Sequence, residues 1–141
     1  MKPILFLLVV ASILFAGCRS PEAIYQSSGV AVPDRLQPME PRELANIIVQ
    51  DPVIVSRGWY LVEVMDDRVR LGLTVRAHEA IVDVSANDGN VRLALVSSEN
   101  LEQENGKIHP FFNSWMENFE RDLRRALLMK SGESTFQMTT K

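Results

Sequence analysis

The stretch WYLVEVMDDRVRLGLTVRAHEAIVDVSANDGNVRLALVSS, residues 59–98, decides the fold, because its apolar residues recur at every second position between short turn signals. Val69, Leu71, Leu73 and Val75 fall on one face, with Arg68, Arg70, Thr74 and Arg76 on the other. Ala80, Val82, Val84 and Ala86 repeat the pattern against Glu79, Ile81, Asp83 and Ser85, and Val91, Leu93 and Leu95 repeat it again. That alternation belongs to a sheet with one wet face. Asp66-Asp67, Ala77-His78 and Asn87-Asp88-Gly89-Asn90 cut the stretch into four strands, the first running from Trp59 to about Val64. Asp-Gly supplies the positive φ values of a tight hairpin turn, so consecutive strands fold back as an antiparallel meander.

Outward from the meander the period changes to that of a helix. Before it, Pro41 suits a first helical position, and Leu44, Ile47 and Ile48 share a face of a helix over Pro41–Gln50. Asp51-Pro52 either ends that helix or caps a further turn through Val53, Ile54 and Val55; the sequence leaves both open. After it, Pro110 opens a helix whose apolar stripe is Phe112, Trp115, Met116, Phe119, Leu123 and Leu127. The predicted architecture is α+β: a four-stranded antiparallel meander with an N-terminal and a C-terminal helix packed on one face. The domain spans residues 41–129, preceded by a Pro-, Ser- and Gly-containing tether over 18–40 and followed by a disordered tail over 130–141.

At the start of the chain Lys2 precedes an apolar run, Ile4 to Ala16, broken only by Ser12 and closed by Leu14-Phe15-Ala16-Gly17-Cys18. A run of about 13 apolar residues is too short for a helix across a bilayer, which takes about 20, so residues 1–17 read as a cleaved signal peptide. The closing residues resemble the lipobox of bacterial lipoproteins, with Phe15 where an aliphatic residue is usual. The resemblance implies cleavage between Gly17 and Cys18, a lipid on the Cys18 thiol, and anchoring in the cell envelope. Arg19-Ser20, in place of Asp, implies the periplasmic face of the outer membrane. Cys18 is the only cysteine, so no internal disulfide is available to it.

Roughly 120 residues remain after the signal, enough for one modest core. The formal charge of −3 becomes −4 without Lys2, and no basic run survives, which argues against nucleic acid as a partner. Two histidines, His78 and His109, and one thiol are a poor basis for a metal site, and no glycine-rich phosphate loop or defensible acid–base pair of carboxylates is present. No cofactor is implied.

One patch of polar residues stands beside the C-terminal stripe: Ser98, Asn100, His109 and Asn113, with Trp115 next to them. Capping accounts for it if His109 precedes the helix at its N-cap and Ser98 and Asn113 satisfy backbone groups. The segment Ser98-Glu99-Asn100-Leu101, then Ile108-His109-Pro110-Phe111-Phe112-Asn113-Ser114-Trp115, resembles the carboxyl-terminal signature of an uncharacterised family of small bacterial lipoproteins, with Phe112 in place of the usual Tyr. Arg57-Gly58-Trp59 and the lipobox extend the resemblance, which implies fold and address rather than chemistry. The functional expectation is a non-catalytic binding or structural module, held to the membrane through Cys18 and facing another envelope protein or an envelope polymer. The competing expectation is a small hydrolase using Ser98 and His109.

Overall fold

A computed structural model describes residues 25, 27–99 and 111–132. Its strands are β1 (Val30–Ala31), β2 (Trp59–Val64), β3 (Val69–Val75), β4 (His78–Asn87) and β5 (Asn90–Glu99). Its helices are α1 (Pro41–Gln50), α2 (Pro52–Ser56) and α3 (Phe111–Ser131). The strands form one antiparallel sheet in the order β1-β5-β4-β3-β2.

The meander follows the alternation of its sequence. Val69, Leu71, Leu73, Ala80, Val82, Val84, Val91 and Leu93 are buried on one face, beneath Phe112, Met116, Phe119, Leu123 and Leu127 of α3 and Leu44, Ile47 and Ile48 of α1. The opposite face is polar at its centre, where Arg70 grips Asp83 through Nε at 2.8 Å and Nη2 at 3.1 Å across the β3–β4 pair. Asp88 (φ 50°) and Gly89 (φ 74°) make the tight β4–β5 turn. The β3–β4 turn falls on Arg76-Ala77, one residue earlier than the predicted Ala77-His78, with Arg76 at φ 56°.

Three expectations are corrected. Among the described residues the sheet has five strands, not four, and there are three α-helices rather than two. Asp51 caps α2: its Oδ1 accepts from the backbone N–H of Val53 and of Ile54, both at 3.0 Å. The same oxygen accepts from Arg125 Nη2 on α3 at 2.7 Å, so the break between α1 and α2 is fixed by a side chain far along the chain.

The third correction concerns residues 18–40, expected as a tether. From Ser27 onward they belong to the domain. Val30 is fully buried and pairs with Val91, Val32 donates its N–H to the Gly89 carbonyl at 2.8 Å, and Met39 joins the core. A two-residue strand is too short to show a period, which is why the segment reads as irregular. At the other end α3 runs to Ser131, past the predicted boundary at 129. Residues 1–24 and 133–141 lie outside the described residues, and with them the signal peptide, Gly17, Cys18 and most of the expected tail.

Candidate functional site around Trp115

The core stripe of α3 places Trp115 at its border. Phe112, Met116 and Phe119 point fully inward, whereas Trp115 is half-buried beside the sheet, its ring centroid 5.9 Å from that of His78 at the start of β4. Together with Asn118 one turn on, it forms one wall of a cleft of about 300 Å³. Leu73 and Val75 of β3 line the cleft as well, and Ser56, Arg57 and Trp59 complete it from the α2–β2 junction. That junction is tightly specified. Gly58 has φ 95°, and a Cβ there would collide with the Thr74 carbonyl oxygen, while Gly58 accepts from the Thr74 N–H at 3.1 Å. Trp59 is then delivered into the core against Phe119, at a ring separation of 4.5 Å.

Two buried carboxylates organise the helix side. Asp122, almost without solvent contact, accepts from Arg57 Nε at 2.6 Å, which holds the α2–β2 junction on α3. Glu120, equally buried, takes hydroxyl donors instead: Ser27 Oγ to Oε1 at 2.5 Å and Ser28 Oγ to Oε2 at 2.7 Å. Tyr25 also hydrogen-bonds Glu120 and packs edge-on against Phe112 with centroids 6.4 Å apart. Burial first, then that hydrogen bond and the negative charges of Glu120 and Glu117, hold the Tyr25 hydroxyl above the usual phenol range. The chain from Tyr25 to Val32 is therefore a strap fastened across α3 and along β5.

The residues singled out from sequence fare unequally. Ser98 lies in β5 with its backbone opposite Ala80. Asn113 is exposed on α3, and Trp115 belongs to the cleft. Asn100 and His109 lie outside the described residues, as do Gly17 and Cys18. Of the expected patch, the described side chains are thus Asn113, facing solvent, and Trp115, facing the cleft. Sequence reasoning missed Glu120 and Asp122, which fall outside the apolar stripe it traced yet are buried. Their signal is positional, since each stands next to a core residue of the stripe, Phe119 or Leu123.

Two roomier hollows, of about 510 and 480 Å³, open at the other end of the sheet and share Met39, Ala86 and Asn87. Their acids, Glu40, Asp66, Asp67 and Asp88, are exposed, so we place the candidate site at the smaller aromatic cleft. Among the described residues no group of three or more His, Cys, Asp or Glu side chains is placed to share a metal ion, and no helix is long and apolar enough to cross a membrane. Comparison with protein-family models, with curated proteins and with solved structures finds no match for this chain.

Proposed function

We propose that the chain is a lipid-anchored envelope protein of the small lipoprotein family whose carboxyl-terminal signature it resembles. It is held by Cys18, faces the periplasm from the outer membrane, and acts as a non-catalytic module that binds or supports another envelope protein or an envelope polymer. The observation that carries this reading is the joining of a lipobox-like end, Leu14–Cys18, to a strap that starts at Tyr25 and is built into the domain. A chain whose leader is fastened to its own core transmits the position of its anchor to that core. The Trp115 cleft, with an indole, an amide and a guanidinium around an apolar wall, supplies the kind of surface a binding module uses.

Metabolic labelling with a fatty-acid probe, followed by fractionation, tests the reading. The parent should label and sediment with the outer membrane, and Cys18→Ala should do neither. Equal labelling of parent and variant, or a parent found free in the periplasm, refutes it. Full-length protein should also pull down an envelope component from detergent extracts in a manner lost on Trp115→Ala. Turnover of an ester or amide substrate would instead favour the hydrolase.

A further inference from the structure

We propose that the Trp115 cleft takes the free carboxyl end of a peptide, its carboxylate on the guanidinium of Arg57 and its last apolar side chain on the wall of Trp115, Leu73 and Val75; the proposal rests on the non-catalytic binding reading above.

The polar side of the cleft supplies donors. Among the residues that line it, Arg57 is the one that carries a charge. A guanidinium has five N–H donors. The Nε donor goes to Asp122 at 2.6 Å, and the described residues offer the other four no acceptor. The Arg57 side chain is 40% exposed and that of Asp122 6%, so the acid holds the guanidinium from the buried side and solvent reaches it from the other. An acceptor on the two Nη groups therefore meets the cation at hydrogen-bond distance and the Asp122 charge only beyond it. The flanking acids are directed elsewhere: Glu117 acts on Tyr25 at the strap, and Glu79 alternates to the sheet face away from the helices. Charge complementarity thus calls for an anion, and the planar fork suits a carboxylate.

The rest of the cleft calls for what adjoins that carboxylate. Leu73 is buried, Val75 and Trp115 are half-buried, and together they offer an apolar wall beside the cation. At about 300 Å³ the cleft stands at the lower limit of ligand pockets, about 300–1,000 Å³, so it fits a chain end rather than a long segment. Asn118, half-buried, makes no hydrogen bond with a described residue, and its amide offers a donor and an acceptor to the last peptide group. A carboxylate one carbon from both an apolar side chain and an amide is the carboxyl terminus of a peptide.

The test is calorimetric titration of the purified mature protein, in mild detergent, with acetyl-Ala-Ala-Leu as the free acid and as its carboxamide. The acid should bind about tenfold or more tighter than the amide, the worth of a charge-assisted pair. Arg57→Lys keeps a cation for Asp122 and loses the fork, so it should remove that preference. Asn118→Ala, which leaves Arg57 and Asp122 in place, should weaken both peptides. Circular dichroism confirms the fold of each variant. Equal affinity for acid and amide, a preference unchanged in folded Arg57→Lys, or no binding of either peptide at millimolar concentration overturns the proposal. Phenyl phosphate binding more tightly than the acid also overturns it. An envelope component captured by the parent and lost on Trp115→Ala, in protein that binds no peptide acid, leaves the binding-module reading standing and overturns this proposal alone. Turnover of the peptide overturns both.

Discussion

At one edge of the sheet β1 offers only two residues to β5, yet Val30 is fully buried and the strap before it is tied to Glu120 through two serines and a tyrosine. At the other edge β2 offers six residues, and Tyr60, Leu61, Val62 and Val64 are all exposed, with no strand on its outer side among the described residues. Length of pairing is therefore not what secures an edge here. The short edge is closed by side chains that reach α3. The long edge is left open and is blunted by a bulge at Val62, where the register with β3 slips between Leu61 and Glu63. The bulge puts Tyr60 (opposite Gly72) and Glu63 (opposite Arg70) on the same face although they are three residues apart. A two-fold antiparallel pairing of β2 with a second β2 needs unbroken alternation about one residue, and the bulge denies it.

The largest expected effect comes from introducing the same charge at each edge. Val30→Asp buries an unpaired carboxylate and should cost about 4 kcal/mol or more. Val62→Asp, in solvent, should stay within about 0.5 kcal/mol of the parent. Urea titrations of the two variants at one pH check this, and equal losses would erase the distinction between the edges.

Next is the fastening itself. Glu120→Ala leaves the hydroxyls of Tyr25, Ser27 and Ser28 without their acceptor and should cost about 1–3 kcal/mol. Glu120→Gln keeps an acceptor oxygen and should recover part of the loss. A Glu120→Ala protein as stable as the parent in thermal melts would mean that the strap is held by Val30 and Val32 alone.

Removing the bulge sharpens the comparison from the other side. Deletion of Val62 restores a continuous alternation to β2 and should produce dimers or larger species that grow with concentration in sedimentation velocity. A deletion variant that stays monomeric across the range, with its circular dichroism unchanged, would show that the bulge does not guard this edge.

The smallest effect is the pH dependence carried by Tyr25. Its folded-state hydroxyl ionises above the ordinary phenol value, so the stability it contributes is present below about pH 10 and is lost as pH rises past that point. Tyr25→Phe should therefore flatten the alkaline limb of a stability-against-pH curve and leave the neutral and acidic limbs parallel to the parent. An alkaline limb identical in the two proteins would remove Tyr25 from the fastening.

What was legible in the sequence was what local periodicity encodes. The alternation through Val69, Leu71 and Leu73, the Asp88-Gly89 turn, and the α3 stripe from Phe112 to Leu127 all place buried residues where the pattern puts them. What was not legible depends on partners distant in the chain. Asp51 could not be assigned because its carboxylate serves both α2 and Arg125, 74 residues on. The burial of Glu120 and Asp122 gave no local signal because the groups that receive them, Ser27, Ser28 and Arg57, come from other elements. The strap gave no signal because two strand residues carry no period. Of the candidate site, Trp115 was found but read as core. Its place at the border of the stripe, half-buried beside His78 in the cleft that Arg57 also lines, depends on how the α2–β2 junction meets β3.

Hydrogen exchange at the Val32 amide most directly tests whether the strap is part of the fold. That N–H donates to the Gly89 carbonyl beside the fully buried Val30. It should exchange orders of magnitude more slowly than a free chain and should lose protection in Glu120→Ala before β3 and β4 do. A Val32 amide exchanging at the unstructured rate in the parent, with β3 and β4 fully protected, would show that residues 27–32 are a loose tether after all.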